Sequence, residues 1–274
     1  MCHLTSEPLR FQRLMHLSPH LCYRCQPVDV PGLEGKRPVS LYLPPDYFKE
    51  AEVRWPVAVF FDGQNIFDDT DTLAGGWHVH EAMASRYQAG HTVPVVIGIH
   101  HGSDRDSELS PWRLYPGKKG VGKALLTWLH EELLPRLARQ LLIHTCDMLV
   151  AGSSLGGLMA LYAVVHHPEY YRRALAMSPA LWPDNFKIFE DLMGFFQLQH
   201  REIYLDHGGK EDHPELGDIL FQQTAMLADA LTILGLAPEK EVFWRPDLEG
   251  EHNETSWRRR LPGALSLLYE GKVS

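Results

Sequence analysis

Short apolar runs alternate along the chain with stretches whose apolar residues recur every three to four positions. The runs at 39–43, 57–61, 93–99, 148–151, 173–177, 202–205 and 241–244 have the length and the β-branched or aromatic content of strands. Val57-Ala58-Val59-Phe60-Phe61 has no polar position at all, which predicts a strand covered on both faces. Helical spacing appears at about 123–139, through Leu125, Leu126, Leu129, Leu133 and Leu137, and again at about 155–166, 220–234 and 256–269. This alternation predicts an α/β chain with a mostly parallel central sheet and helices on both faces. Ligands of such sheets bind beyond the carboxyl ends of the strands, so the loops there are the place to look for chemistry. No internal repeat appears, and Pro and Gly are spread throughout. Residues 1–274 therefore read as one domain, with 1–36 as an N-terminal extension or edge strands.

Composition narrows the partners more than the fold. A formal net charge of -9 over 274 residues disfavours a surface built for phosphate backbones, so nucleic acid is not an expected partner. No run approaches the ~20 apolar residues of a membrane span, and the N-terminus lacks a basic segment followed by an apolar one. The expectation is a cytoplasmic protein, or a periplasmic one if the chain is a mature form. Cys22 and Cys25 have redox or half-zinc spacing, but no second pair accompanies them. Two ordinary thiols, or a local disulfide in an exported protein, are the expected states. No metal and no organic cofactor are expected. Oligomeric state cannot be read from the pattern.

The chemistry is expected after the run 148–151. There Gly152-Ser153-Ser154-Leu155-Gly156-Gly157 leads into the helical stretch at 155–166, which is G-x-S-x-G between a strand and a helix. The glycines allow a turn tight enough for Ser154 to project its hydroxyl above the sheet. The helix start then aims the Leu155 N–H at the site as one oxyanion donor. A hydroxyl needs a base, and the partner order for such an elbow is Ser, acid, His. Of the downstream histidines, His166 and His167 close the elbow helix, and His200, His207 and His213 lie in or near the loops around 202–205. His252 falls in a loop after the last strand and before the last helix, from where it can reach back to the elbow. The acid belongs after the penultimate strand, in Asp206-His207-Gly208-Gly209-Lys210-Glu211-Asp212-His213. Glu211 is the choice, with Asp212 and Asp206 as alternatives. It would hold one tautomer of His252 and stabilise the imidazolium. The second oxyanion donor is placed at the amide of Gln64, in the turn Asp62-Gly63-Gln64-Asn65 after the strand 57–61.

With these residues in view, the chain resembles the enterochelin (enterobactin) esterases and their relatives, a branch of the α/β-hydrolases. The similarity runs from about Arg37 to Leu268. It rests on Val39-Ser40-Leu41-Tyr42-Leu43-Pro44-Pro45-Asp46-Tyr47, Phe61-Asp62-Gly63-Gln64-Asn65-Ile66-Phe67, Arg105-Asp106-Ser107-Glu108-Leu109-Ser110-Pro111, Glu132-Leu133-Leu134-Pro135, the elbow, Ser178-Pro179-Ala180-Leu181-Trp182, and the segment from Tyr204 to Glu211. The order and spacing of these segments together are specific. The resemblance implies the α/β-hydrolase fold and acyl transfer to water by Ser154, His252 and Glu211. The Arg-x-x-Glu-Leu-x-Pro segment leans toward the siderophore esterases.

Two departures stand out. About 36 residues precede Arg37, too few for the separate N-terminal domain of the two-domain members, and His100-His101-Gly102-Ser103-Asp104 replaces a loop expected to carry Asp or Asn. Arg105 could pair with an anionic group of a substrate, or with Glu108 to shape its loop. Trp182 could wall an aromatic acyl pocket or sit in the core. The expected function is hydrolysis of small carboxylic esters, siderophore-type trilactones first and acetyl, feruloyl or aliphatic esters second. A binding protein that keeps the fold without the chemistry is the reading of another class.

Overall fold

A computed structural model describes residues 8–70, 72, 75–194, 200–211 and 217–271. Among the described residues nine strands form one sheet: β1 (Phe11–Arg13), β2 (Leu21–Asp29), β3 (Lys36–Leu43), β4 (Val57–Phe61), β5 (Val95–Ile99), β6 (Met148–Ser153), β7 (Tyr171–Met177), β8 (Glu202–Asp206) and β9 (Val242–Trp244), in the spatial order β1-β2-β3-β5-β4-β6-β7-β8-β9. The pairings from β5 through β4 to β9 are all parallel, whereas β1, β2 and β3 join antiparallel to one another and β3 joins antiparallel to β5. Two strands, β1 and β2, thus come from the segment before residue 36.

The helices are α1 (Val79–Gln88), α2 (Arg105–Glu108), α3 (Gly122–Trp128), α4 (Leu134–Gln140), α5 (Leu155–His166), α6 (Pro183–Gly194), α7 (Gly217–Ile233) and α8 (Glu254–Glu270). A π-helical turn at Leu129–Leu133 joins α3 to α4. The stretch expected as one helix at 123–139 is therefore three segments in succession. Among the described residues, no helix is long and apolar enough to cross a membrane.

Alternation along the strands splits the core in two. Val57, Val59 and Phe61 of β4 join the layer containing α3, α4 and α5, while Ala58 and Phe60 join Trp257, Leu261 and Leu265 of α8 with Val79 and Met83 of α1. This two-sided cover is why the central strands carry almost no polar residue. It also decides the cysteine pair. Cys22 and Cys25 stand three apart on β2, so they point to opposite faces, one in each layer, and both are free thiols. Redox pairing, a shared zinc and a local disulfide are all excluded by that alternation. Cys22 is a core side chain, and its burial pushes the thiol up to about 12.

Candidate active site

The elbow is a backbone construction. Ser154 has φ 55° and ψ -124°, a left-handed conformation that side chains other than glycine adopt only when their surroundings enforce it. What enforces it is close approach: a Cβ on Gly152 would lie 2.4 Å from the carbonyl carbon of Gly156. The Ser154 N–H donates to Met177 O at 3.0 Å, and its carbonyl accepts from Ala180 N at 2.9 Å and Leu158 N at 3.0 Å. Ser154 is half-buried. Leu155 is the first residue of α5, where an N–H has no intrahelical acceptor.

Glu211 and His252 meet across forty residues of chain. His252 lies between the three-residue β9 and α8, and its Nδ1 is 2.9 Å from Glu211 Oε2. Its ring stands edge-on to Trp257, with centroids 5.1 Å apart. Glu211 is 2% exposed. Gly208 N donates to its Oε1 at 2.6 Å, His207 Nε2 is 3.2 Å from its Oε2, and the Ser178 hydroxyl donates to its Oε1. Burial pushes the Glu211 carboxyl up, but the hydrogen bonds from His252 and Ser178 and the nearby imidazoles outweigh it and hold the group below the ordinary glutamate range. The elbow and the acid are joined by a short bridge. Met177 accepts from the Ser154 amide, and the next residue, Ser178, binds Glu211.

Asp206, the other described alternative for the acid, is buried at the end of β8 and faces elsewhere. It accepts from Ser178 N at 2.9 Å and Tyr204 OH at 3.1 Å and lies 3.4 Å from Arg260 Nε. Burial raises its carboxyl to about 7, against the opposing pull of Arg260 and the hydrogen bonds. Asp212 lies outside the described residues.

Gln64 sits in the turn after β4. Gly63 N donates to Ile99 O and Asn65 N to Asp62 O, each at 2.8 Å, while the Gln64 amide makes no backbone hydrogen bond among the described residues. A Cβ on Gly63 would lie 2.4 Å from the carbonyl carbon of Gly98, so only glycine lets the turn pass β5. Arg105 does not pair with Glu108. Its Nε and Nη2 bind Asp62 Oδ1 and Oδ2 at 2.8 and 2.7 Å, and Glu108 is taken by Arg37 at 2.7 and 2.8 Å. Trp182 is 38% exposed, in the loop before α6, so it is not a core side chain.

Three residues at this site carry no role in the sequence reading. Ser178 stands in the quoted Ser-Pro segment, which gives no sign of its contacts. Trp257 Nε1 and Arg260 Nη2 donate to the Ser178 hydroxyl at 3.0 and 3.1 Å, from consecutive turns of α8. Only the helical spacing of 257 and 260 hinted that the two share a face.

A hydroxyl on a strained elbow, a carboxylate-bound imidazole and amides at a helix start are the parts that acyl transfer requires. A model of the family described as "Putative esterase" matches residues 31–268. An iron(III) enterobactin esterase of Dickeya dadantii is 29% identical over 256 residues, covering 87% of this chain and 53% of that protein. An uncharacterised protein of Bacillus subtilis, YbbA, is 24% identical over 55% of this chain. The chain thus spans about half the length of the Dickeya relative. Among solved structures, a ferric enterobactin esterase of Salmonella typhimurium superposes with a TM-score of 0.70 at 24% identity, covering 93% of this chain and 59% of that one. A siderophore hydrolase of Aspergillus nidulans gives 0.70 at 18%, covering 91% and 94%. A ferulic acid esterase gives 0.69 at 17%, covering 92% and 99%. At these identities the superpositions establish the fold, that of the α/β-hydrolases. The family match, which spans most of the sequence, establishes the rest: this chain belongs to the putative esterase family.

Proposed function

We propose that this protein hydrolyses carboxylic esters of small molecules through an acyl-enzyme on Ser154. The observation that carries the proposal is the 2.9 Å contact between His252 Nδ1 and Glu211 Oε2, made by the second and third members of a Ser, acid, His order that begins at a left-handed elbow serine. Glu211 holds the imidazole with Nε2 free to act. His252 takes the proton as Ser154 Oγ attacks the ester carbonyl, and the amides of Leu155 and Gln64 receive the oxyanion. Collapse expels the alcohol, protonated by His252, and water then cleaves the acyl-enzyme by the same steps. None of these steps calls for a metal or an organic cofactor. An iron-loaded substrate would bring its own iron.

Siderophore-type esters are the first substrate class, on the strength of the relatives named above, with Trp182 as an exposed wall for an aromatic acyl group. Acetyl, feruloyl and simple aliphatic esters are the second. A binding protein without catalysis has no use for a strained elbow serine together with a carboxylate-oriented imidazole. A fluorophosphonate probe should label the wild-type chain and not Ser154→Ala. If Ser154→Ala keeps more than about one per cent of ester turnover, the nucleophile is another residue. A panel of enterobactin with and without iron, p-nitrophenyl esters of rising chain length, and feruloyl and acetylated sugars ranks the substrate classes.

A further inference from the structure

Asp62 places a carboxylate where an esterase would least tolerate one. It follows β4 with φ 55°, is 5% exposed, and opens the turn that carries Gln64. Its Oδ2 lies 3.2 Å from where a Cβ on Gly156 would stand, which puts it against the first turn of α5. That helix start is the place where an oxyanion would be held, and a carboxylate there draws on the same positive helix end. Left alone, it would oppose the negative charge that develops on the substrate.

Arg105 answers that charge with both of the carboxylate's oxygens engaged, at 2.8 and 2.7 Å, while His101 Nε2 stands 3.6 Å from Oδ1. The arginine is itself firmly mounted. It begins α2, and Glu108 at the other end of that helix is tied to Arg37 on β3 by two hydrogen bonds of 2.7 and 2.8 Å. Glu108 also accepts from Gly102 N at 3.0 Å. With Nε and Nη2 committed to Asp62, the guanidinium face best suited to grip a substrate anion is already occupied.

We propose that Arg105 is a positioning residue that acts through Asp62: it neutralises the carboxylate and locks the turn 62–65, so that the amides of Gln64 and Leu155 meet the oxyanion without an opposing charge. This rests on the reading of Ser154 as the acylated residue. It also gives Gly156 a second reason to be glycine, since any side chain there would press on the Asp62 carboxylate.

The test is a cycle of Arg105→Gln, Asp62→Asn and the double variant, with Arg105→Lys beside them. Each is assayed on neutral p-nitrophenyl butyrate and on the anionic mono-p-nitrophenyl ester of succinic acid. Arg105→Gln should lower kcat by about 10²-fold, the order seen when oxyanion stabilisation is lost, with KM changed by less than ~3-fold on both esters. The double variant, which removes both charges, should recover at least about tenfold over Arg105→Gln. Arg105→Lys should fall between, since lysine restores charge without the two-point grip. A double variant no better than Arg105→Gln overturns the inference. So does a loss confined to KM on the anionic ester, which would make Arg105 a direct substrate contact. Fluorophosphonate labelling of the same preparations separates the layers. A labelled wild type with an unrecovered double variant overturns the Arg105 role alone, whereas an unlabelled wild type overturns the serine reading beneath it.

Discussion

The elbow at 152–157 and the loop at 206–211, which carries the proposed acid, belong to one candidate site but are held by different physics. The elbow is shaped by backbone contacts among glycines and by peptide hydrogen bonds to Met177 and Ala180. The acid loop is held by side chains from distant elements. The Ser178 hydroxyl accepts from Trp257 and Arg260 and has one proton to give, which goes to Glu211. A steric device of the first kind fails when an atom is added. A network of the second kind fails when a donor is removed.

That difference ranks the consequences of substitution. Gly152→Ala should be the most damaging, because a methyl 2.4 Å from the Gly156 backbone cannot be accommodated without moving the elbow. Activity should vanish and Tm should fall together, and a stable, active Gly152→Ala would show that the elbow is not sterically built. Glu211→Gln should lower kcat by roughly two to four orders of magnitude with the fold intact, as the charge facing the imidazolium is lost. Asp212→Asn should be mild. If both stay near wild type, His252 works without a carboxylate and the comparison loses its second half.

Ser178→Ala should cost about tenfold in kcat and ~1–3 kcal/mol of stability, since it strips a donor from Glu211 and leaves the Trp257 and Arg260 donors short of an acceptor. Denaturant unfolding and steady-state kinetics read the two effects separately, and an unchanged kcat would reduce Ser178 to a packing role. The smallest effect on activity concerns Asp206. Burial raises its carboxyl from 3.8 to about 7, so the folded chain binds that proton more tightly than the unfolded one. The associated stability is full below the unfolded value and is lost as pH rises through about 7. Relative to Asp206→Asn, wild-type Tm should therefore decline between pH 5 and 8. A constant difference across that window would contradict the assignment.

Much of this molecule was legible in the chain because it is local. The strands β4, β6 and β8 contain the unbroken apolar runs 57–61, 148–151 and 203–205, and the elbow lies within six consecutive residues. What escaped was non-local or masked by polar residues. In α1, His80 and Arg86 are buried beside Val79 and Met83, so the apolar stripe is too thin to read. β2 contains Pro27 and shifts register between Cys25 and Val28, which breaks its alternation. Helical proximity suggested Glu108 for Arg105, but the partner is Asp62, 43 positions away, and nothing in the spacing pointed there. Ser178 illustrates the same limit, since its four partners come from residues 28 to 82 positions distant.

The parallel half of the sheet ends on β9, a strand of three residues, and the loop that carries His252 hangs from it. Short edge segments open at a fraction of the free energy that unfolds a whole domain. His252, the proposed general base, is thus mounted on a part of the scaffold expected to open early, while Ser154, the proposed nucleophile, directly follows β6, which is flanked by strands on both sides. On warming, or in mild denaturant, catalysis should fade while the core remains folded, because the protein's working range is set by its weakest cooperative unit and not by its melting point.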